Sequence, residues 1–209
     1  MSTASGRLIT IEGLDGAGKS TLAGGLAAAW RARGRTVELL REPGGVQTSE
    51  RIRALVKDPA LTVGARAEAL LYAAARAQLV EQALVPLLAA GTDVLLDRFV
   101  DSSLAYQGGG RELGIEPVRA INAFATGGLR PDLTLLLVLD PTLGRRRAGA
   151  RGAPDRLERE ADPFFARIAS AYAQLAAEEP ERFRVIDAAQ APDEVLAAAL
   201  AASAAVLGP

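Results

Sequence analysis

One run of residues constrains this chain more than any other. Ile9 to Glu12 has strand character and leads straight into Gly13-Leu14-Asp15-Gly16-Ala17-Gly18-Lys19-Ser20, after which Lys19 to Arg33 reads as a helix. A strand, a G-x-x-x-x-G-K-S loop and a helix in that order make a cradle for phosphate. The glycines admit backbone angles that turn successive N–H groups inward and let oxygens come close. The helix N-terminus adds unpaired amides and a partial positive charge. Lys19 supplies a flexible ammonium for the outer phosphates, and the Ser20 hydroxyl is a ligand for Mg²⁺. Gly13, Leu14, Asp15, Gly16, Ala17, Gly18, Lys19, Ser20 and Thr21 are therefore the expected nucleotide contacts. The motif alone does not separate a kinase from a GTPase or a motor.

The rest of the chain alternates in the same way. Apolar runs at Leu8 to Glu12, Thr36 to Arg41, Asp93 to Asp97, Leu133 to Leu139 and Phe183 to Ile186 read as buried parallel strands. Helical segments fall between and after them, at Lys19 to Arg33, Ser49 to Val56, Arg66 to Ala90, Pro117 to Ala125, Asp162 to Glu178 and Asp193 to Ala205, with a kink expected at Pro86. Gly108 to Gly110 and Ala148 to Pro154 read as loops. The pattern predicts an α/β fold of the three-layer P-loop NTPase type, with a mainly parallel five-stranded sheet flanked by helices, as one domain over 1–209. Hydrophobic residues make up 49% of the 209, enough to cover a sheet on both faces. Ligands should gather at the carboxyl ends of the strands.

Charge excludes some partners. The 24 basic and 25 acidic side chains leave a formal net charge of -1, so no global field favours nucleic acid or an anionic membrane. A phosphorylated substrate must then be held by local arginines. There are no cysteines and no histidines, which removes disulfides, thiolate chemistry and histidine bases and fits a cytoplasmic location. Met1 to Gly6 lack the apolar stretch of a signal peptide, and no uncharged apolar run reaches the roughly 20 residues of a membrane span. Val195 to Leu207 reads as a surface helix packed on the body.

Two further strand ends carry chemistry. Asp97 closes Val94-Leu95-Leu96, where an acid can organise Mg²⁺ beside Ser20. Thr36 to Leu40 runs into Arg41-Glu42-Pro43-Gly44-Gly45, which reads as a rigid wall of an acceptor pocket. The stretch Asp97-Arg98-Phe99-Val100-Asp101-Ser102-Ser103-Leu104-Ala105-Tyr106-Gln107 then resembles the signature of the thymidylate kinase family. The resemblance continues, in family order, through Arg41 to Gly45, Leu71-Tyr72 with Arg76 and Gln78, Tyr106 to Gly110, Arg130 to Thr134 and Asp155-Arg156-Leu157-Glu158, spanning about Leu8 to Asp187.

This resemblance implies roles. Arg98, helped by Arg41, grips the acceptor phosphate, with Glu42 and Pro43 in the same wall. Tyr72 and Arg76 share a helix face; the first stacks on the base and the second donates to thymine O4. Ala75 stands where relatives often carry an acid, so a loosely held Arg76 is expected. Ser103 contacts the base edge, Tyr106 crowds the sugar's 2′ carbon with Gln107 beside it, and Asp15 approaches the 3′-hydroxyl. Arg145, Arg146, Arg147, Arg151 and Arg156 fall in a lid, about 145–158, that closes over the transferring group. Arg147 and Arg151 are its expected catalytic cations, with Arg156 following; Gly16 and this arginine-rich lid match the bacterial style of the family. Lys19, Arg98, Arg147, Arg151 and Asp15 form the expected catalytic set, ATP and dTMP the ligands, and a homodimer the assembly.

An acceptor phosphate is largely ionised at neutral pH because its second pKa is about 6, so no strong base is needed. Transfer would rest on in-line placement and charge stabilisation. Other small acceptors (dUMP, UMP or a deoxynucleoside) remain open at this point, as does a regulatory nucleotide switch without transfer.

Overall fold

The computed structural model describes residues 5–149 and 155–208. Its sheet has five strands in the order β2-β3-β1-β4-β5, every neighbouring pair parallel. They are β1 (Leu8–Gly13), β2 (Val37–Arg41), β3 (Asp93–Asp97), β4 (Leu133–Val138) and β5 (Phe183–Asp187). The register pairs both Ile11 and Arg41 with Asp97. The loops that follow β1, β2 and β3 therefore leave the sheet at one edge, and the site is built there.

Alternation along the strands divides the core. Ile9, Ile11, Leu95, Leu135 and Leu137 pack with residues of α1 (Lys19–Ala32) and α9 (Pro192–Leu207). Leu8, Val94 and Leu96 join the second layer, which contains α3 (Ala65–Leu79), a π-helical turn (Val80–Leu84) and α4 (Val85–Ala89). On that side, too, lie the buried polar residues Thr10, Glu12 and Thr134. Helix α2 (Gln47–Lys57) packs on α3, and α3 on α6 (Ile115–Thr126).

The long helix expected over Arg66 to Ala90 is present, and the disturbance anticipated at Pro86 takes a definite form. The Val85 N–H donates to Val80 O, five residues back, so the helix widens by one residue just before the proline. Proline has no N–H to give and its ring crowds the preceding turn.

The loop expected at Gly108 to Gly110 is instead helical. A short α5 (Val100–Ser103) runs into a π-helical segment, Leu104–Gly110, closed by Arg111 N–H donating to Tyr106 O at 2.9 Å. Its glycines serve close packing, not flexibility. A Cβ on Gly109 would lie 2.6 Å from Ala171 Cβ, and one on Gly110 2.7 Å from Phe164 Cε2, both on α8 (Asp162–Glu178). A second unexpected helix, α7 (Pro141–Gly149), carries Arg145, Arg146 and Arg147. Among the described residues, no helix is long and apolar enough to cross a membrane.

Candidate active site

Gly18 starts α1 at φ 91°, a left-handed angle that a side chain resists. The loop therefore enters the helix with its amides turned towards the sheet edge. Gly16, at φ 84°, meets a harder limit: a Cβ there would sit 2.0 Å from Gly144 O on α7. The style of loop inferred from Gly16 thus has a packing cause. Lys19 is 8% exposed, and its Nζ donates to Gly13 O at 3.1 Å and Leu14 O at 2.9 Å. Burial first, then the neighbouring Arg98 guanidinium, lower its pKa to about 8 against the opposing pull of Asp15, Asp97 and Glu12.

Arg98 follows β3 with φ 74°, a strained angle for a residue with a side chain. Its guanidinium stands 4.9 Å over the Tyr106 ring. Nη2 donates to Asp15 Oδ1 at 2.8 Å and to the Tyr106 hydroxyl at 3.1 Å, and Nη1 to Ser102 Oγ at 3.0 Å. Lys19 Nζ lies 3.9 Å from the same Asp15 oxygen. The two cations read separately from the sequence thus flank one atom, so their separation is bounded by those two short distances. Burial opposes the charge on Asp15, but Arg98 and then Lys19 outweigh it and hold the carboxyl far below the usual range.

A cavity of about 410 Å³ opens between these groups, a size that suits a small ligand. Its walls include Gly16, Gly18, Lys19 and Ser20 from the loop, Arg41, Glu42 and Pro43 after β2, Tyr72 on α3, and Asp97, Arg98, Ser103, Tyr106 and Gln107 after β3. Leu14 and Ala17 instead place their side chains in the core, leaving only backbone for a ligand, and Thr21 is exposed on α1. Arg41 is half exposed and is drawn outward by Glu50 at 3.0 Å. The Glu42–Pro43 peptide is cis.

Ser20 Oγ donates to Asp97 Oδ2 at 2.9 Å, so the two predicted Mg²⁺ ligands are together. Both are hard oxygen donors. Among the described residues no cluster of three acidic, histidine or cysteine side chains could hold a metal unaided. The pair fits Mg²⁺, which keeps waters and binds substrate phosphates alongside one or two protein oxygens.

Three expectations change. Arg76 is not on the cavity wall, nor is it loosely held. It is 1% exposed, and its donors are committed to the protein. Nε and Nη2 lie 2.8 and 2.6 Å from Glu42 Oε2, Nη2 also donates to Phe99 O at 2.8 Å, and Nη1 serves Ser103 Oγ at 2.9 Å and Asn122 Oδ1. Glu42 supplies the carboxylate that Ala75 lacks. Arg147 is likewise away from this cavity, with Nη1 on Ala188 O at 3.1 Å beyond β5. Arg156 is an anchor rather than a mobile cation: Nε holds Val56 O at 3.0 Å and Nη2 the fully buried Glu68 at 2.6 Å. Arg151 and most of the loop expected at Ala148 to Pro154 lie outside the described residues.

The cavity also holds residues that sequence reasoning did not assign. Arg53, on α2, donates to Pro43 O at 2.8 Å, and Lys57 pairs with Asp155 at 2.7 Å. Their spacing of four puts them on one helix face, but a basic pair on an amphipathic helix reads first as a solvated face.

Similarity to known proteins assigns the family. The family model described as thymidylate kinase matches residues 11–199. The chain belongs to the thymidylate kinase family. A thymidylate kinase of Deinococcus radiodurans is 50% identical over 190 residues, covering 91% of this chain and 92% of the relative. Thymidylate kinases of Pseudomonas putida (strain GB-1) and Bifidobacterium longum are 48% and 47% identical, over 91% and 92% of this chain and 91% and 95% of theirs. The matched span takes in β2 to β5 whole and β1 from Ile11 onward.

Proposed function

We propose that this protein transfers the γ-phosphoryl group of ATP to dTMP, giving dTDP and ADP for dTTP synthesis. The observation that carries the reading is Asp15 Oδ1 flanked by Lys19 and Arg98. A donor phosphate drawn to Lys19 and an acceptor phosphate drawn to Arg98 would arrive end to end, which is what in-line transfer requires. Ser20 and Asp97 would hold Mg²⁺, which would supply neutralising charge on the donor phosphates. Lys19 and Arg98 add fixed positive charge where the transferring group passes, and Asp15 bridges the two and offsets their repulsion until phosphates replace it as their partner. No protein base is required, because the acceptor oxygen is already ionised. Residues 145–158 then act as the closing segment: Arg156 fixes its far end to α2 and α3, and Arg147, on leaving Ala188 O, serves with Arg151 as its catalytic cations.

The base is read by groups beside Arg76, not by Arg76 itself. Ser103 Oγ accepts from Arg76, so its own proton is left to donate to a ring carbonyl. Gln107 gives its amide N–H to Glu68 at 2.9 Å, which leaves its oxygen to accept a ring N–H. A donor beside an acceptor suits thymine or uracil and opposes cytosine. Tyr72 provides the stacking surface and Tyr106 the crowding against a ribose 2′-hydroxyl. A cytoplasmic homodimer completes the reading, supported by Leu55, Leu70 and Phe124, which are exposed on the neighbouring helices α2, α3 and α6.

The test is product analysis after mixing the protein with Mg-ATP and dTMP, dUMP, UMP or dCMP in turn. Rapid dTDP formation with little dCDP is expected; hydrolysis to ADP with no phosphorylated acceptor would overturn the proposal in favour of a nucleotide switch.

A further inference from the structure

β1 ends in a carboxylate that neither the phosphate loop nor the acceptor wall uses. Glu12 precedes Gly13 and has no exposed surface. Three donors converge on it. Oε1 accepts the Phe99 N–H at 2.7 Å, while Oε2 accepts the Ser102 hydroxyl at 2.5 Å and the Tyr172 hydroxyl at 2.8 Å. Two of the three belong to the segment that carries Arg98: Phe99 is the next residue and Ser102 lies four further on from Arg98. The third comes from α8, so the carboxylate ties that segment to the body of the fold.

Both ties bear on the guanidinium. The positive φ of Arg98 needs an outside hold to persist, and the Phe99 N–H clamped on Glu12 is the first backbone donor after it. Ser102 has one hydroxyl proton to donate, and it is directed at Glu12 Oε2. The hydroxyl oxygen is thereby left as an acceptor, and Arg98 Nη1 donates to it at 3.0 Å. In its ionised form the Glu12 carboxylate can only accept, and in that form it sets the direction of the hydrogen bond that orients Arg98. Keeping a buried carboxyl here is expensive. Burial, then the nearby Asp101, raise its pKa to about 7, against the opposing effects of Ser102, Arg98 and Tyr172. A role in shape alone could be filled by an apolar side chain of similar size at lower cost.

We propose that Glu12 is a positioning residue for the acceptor phosphate site, acting through Ser102 and the Phe99 amide to hold Arg98 in its binding geometry. The inference rests on the reading of Arg98 as the group that clasps the dTMP phosphate.

Glu12→Gln tests it with little change of volume. The variant keeps one oxygen for the Phe99 N–H but puts an amide donor against Ser102, which reverses that hydrogen bond and sets the amide against Arg98 for the same oxygen. Binding is measured for dTMP and for a non-hydrolysable ATP analogue in the intact protein, together with turnover and thermal unfolding. The dissociation constant for dTMP should rise about ten-fold, with that for the analogue changed less than about two-fold. In an Arg98→Ala background the same Glu12→Gln change should add little, because residues that act in one chain are not additive. Tyr172→Phe, which removes one donor and keeps the ring, should weaken dTMP in the same direction by a smaller factor; it replaces Glu12→Gln in the cycle if the latter does not fold. Equal losses for dTMP and the ATP analogue, or a full loss repeated without Arg98, would overturn the proposal. If Arg98→Ala alone leaves dTMP affinity intact, the acceptor-site reading fails first and this inference with it. If Arg98→Ala weakens dTMP while Glu12→Gln and Tyr172→Phe do not, only the inference fails.

Discussion

The two halves of the site are made in opposite ways. The donor half is one uninterrupted run, residues 13–20, and its main instrument is backbone shaped by glycine. The acceptor half is assembled from the ends of β2 and β3 and from α2, α3 and the segment at 155–158, and its instruments are side chains. Those side chains hold one another as firmly as they could hold a ligand. Arg76 grips Glu42 and Ser103, Glu68 gathers Gln107, Arg111 and Arg156, and Arg53 holds the Pro43 carbonyl. In the donor half function and folding are separable; in the acceptor half the same groups do both.

The largest effect that sharpens this contrast is expected at Arg76. Arg76→Ala strands the buried Glu42 carboxylate, whose second oxygen already lacks a partner, and should cost about 3–5 kcal/mol of unfolding free energy in urea titration. Burial raises the pKa of Glu42, and Arg76 opposes that rise, so losing the arginine raises it further. The native variant then keeps a proton that the unfolded chain has released. Its stability deficit should therefore be small in acid, below the ordinary carboxylate pKa of about 4.3, and grow as pH rises through the new folded value. A variant of unchanged stability at neutral pH would break the comparison.

Next comes Lys19→Ala. Turnover should fall about 10²–10³-fold, by analogy with loss of one preorganised donor, while the unfolding free energy moves by no more than about 1 kcal/mol. A collapse of stability here would show that the donor loop is as entangled as the acceptor wall. The smallest of the three is Ser103→Ala, which should narrow the preference for dTMP over dCMP by about ten-fold, read as the ratio of kcat/KM values. An unchanged ratio would remove Ser103 from base recognition.

The same contrast explains what could be read from the sequence. The five strands and the phosphate loop follow from local pattern, because apolar runs and a contiguous motif report on themselves. Ser20 and Asp97, 77 residues apart, could be linked only because an acid at a strand's carboxyl end faces the phosphate site. Arg98 and Tyr106 were legible through an ordered set of short motifs. The true partners of Arg76 were not: Glu42 lies 34 residues earlier and Asn122 46 later, and no periodicity links them. The segment Gly108 to Gly110 looked flexible because its neighbours on α8, Ala171 and Phe164, are far away in sequence. Helix α7 was hidden by its own arginines, which leave few apolar positions to mark a buried face. Nothing local singles out Glu12, because Ser102 and Tyr172, which converge on it, lie 90 and 160 residues away.

The meeting of Gly16 with Gly144 limits how such a chain can be redesigned. Main chain lies against main chain, with Asp15 O only 2.8 Å from where a Cβ on Gly144 would stand. A Gly16→Arg substitution, meant to mount a cation on the loop itself, would act as a wedge and would have to drive the arginine-bearing helix outward before its charge could reach anything. Where the chain carries its positive charge is settled by two hydrogens occupying the places where side chains would begin.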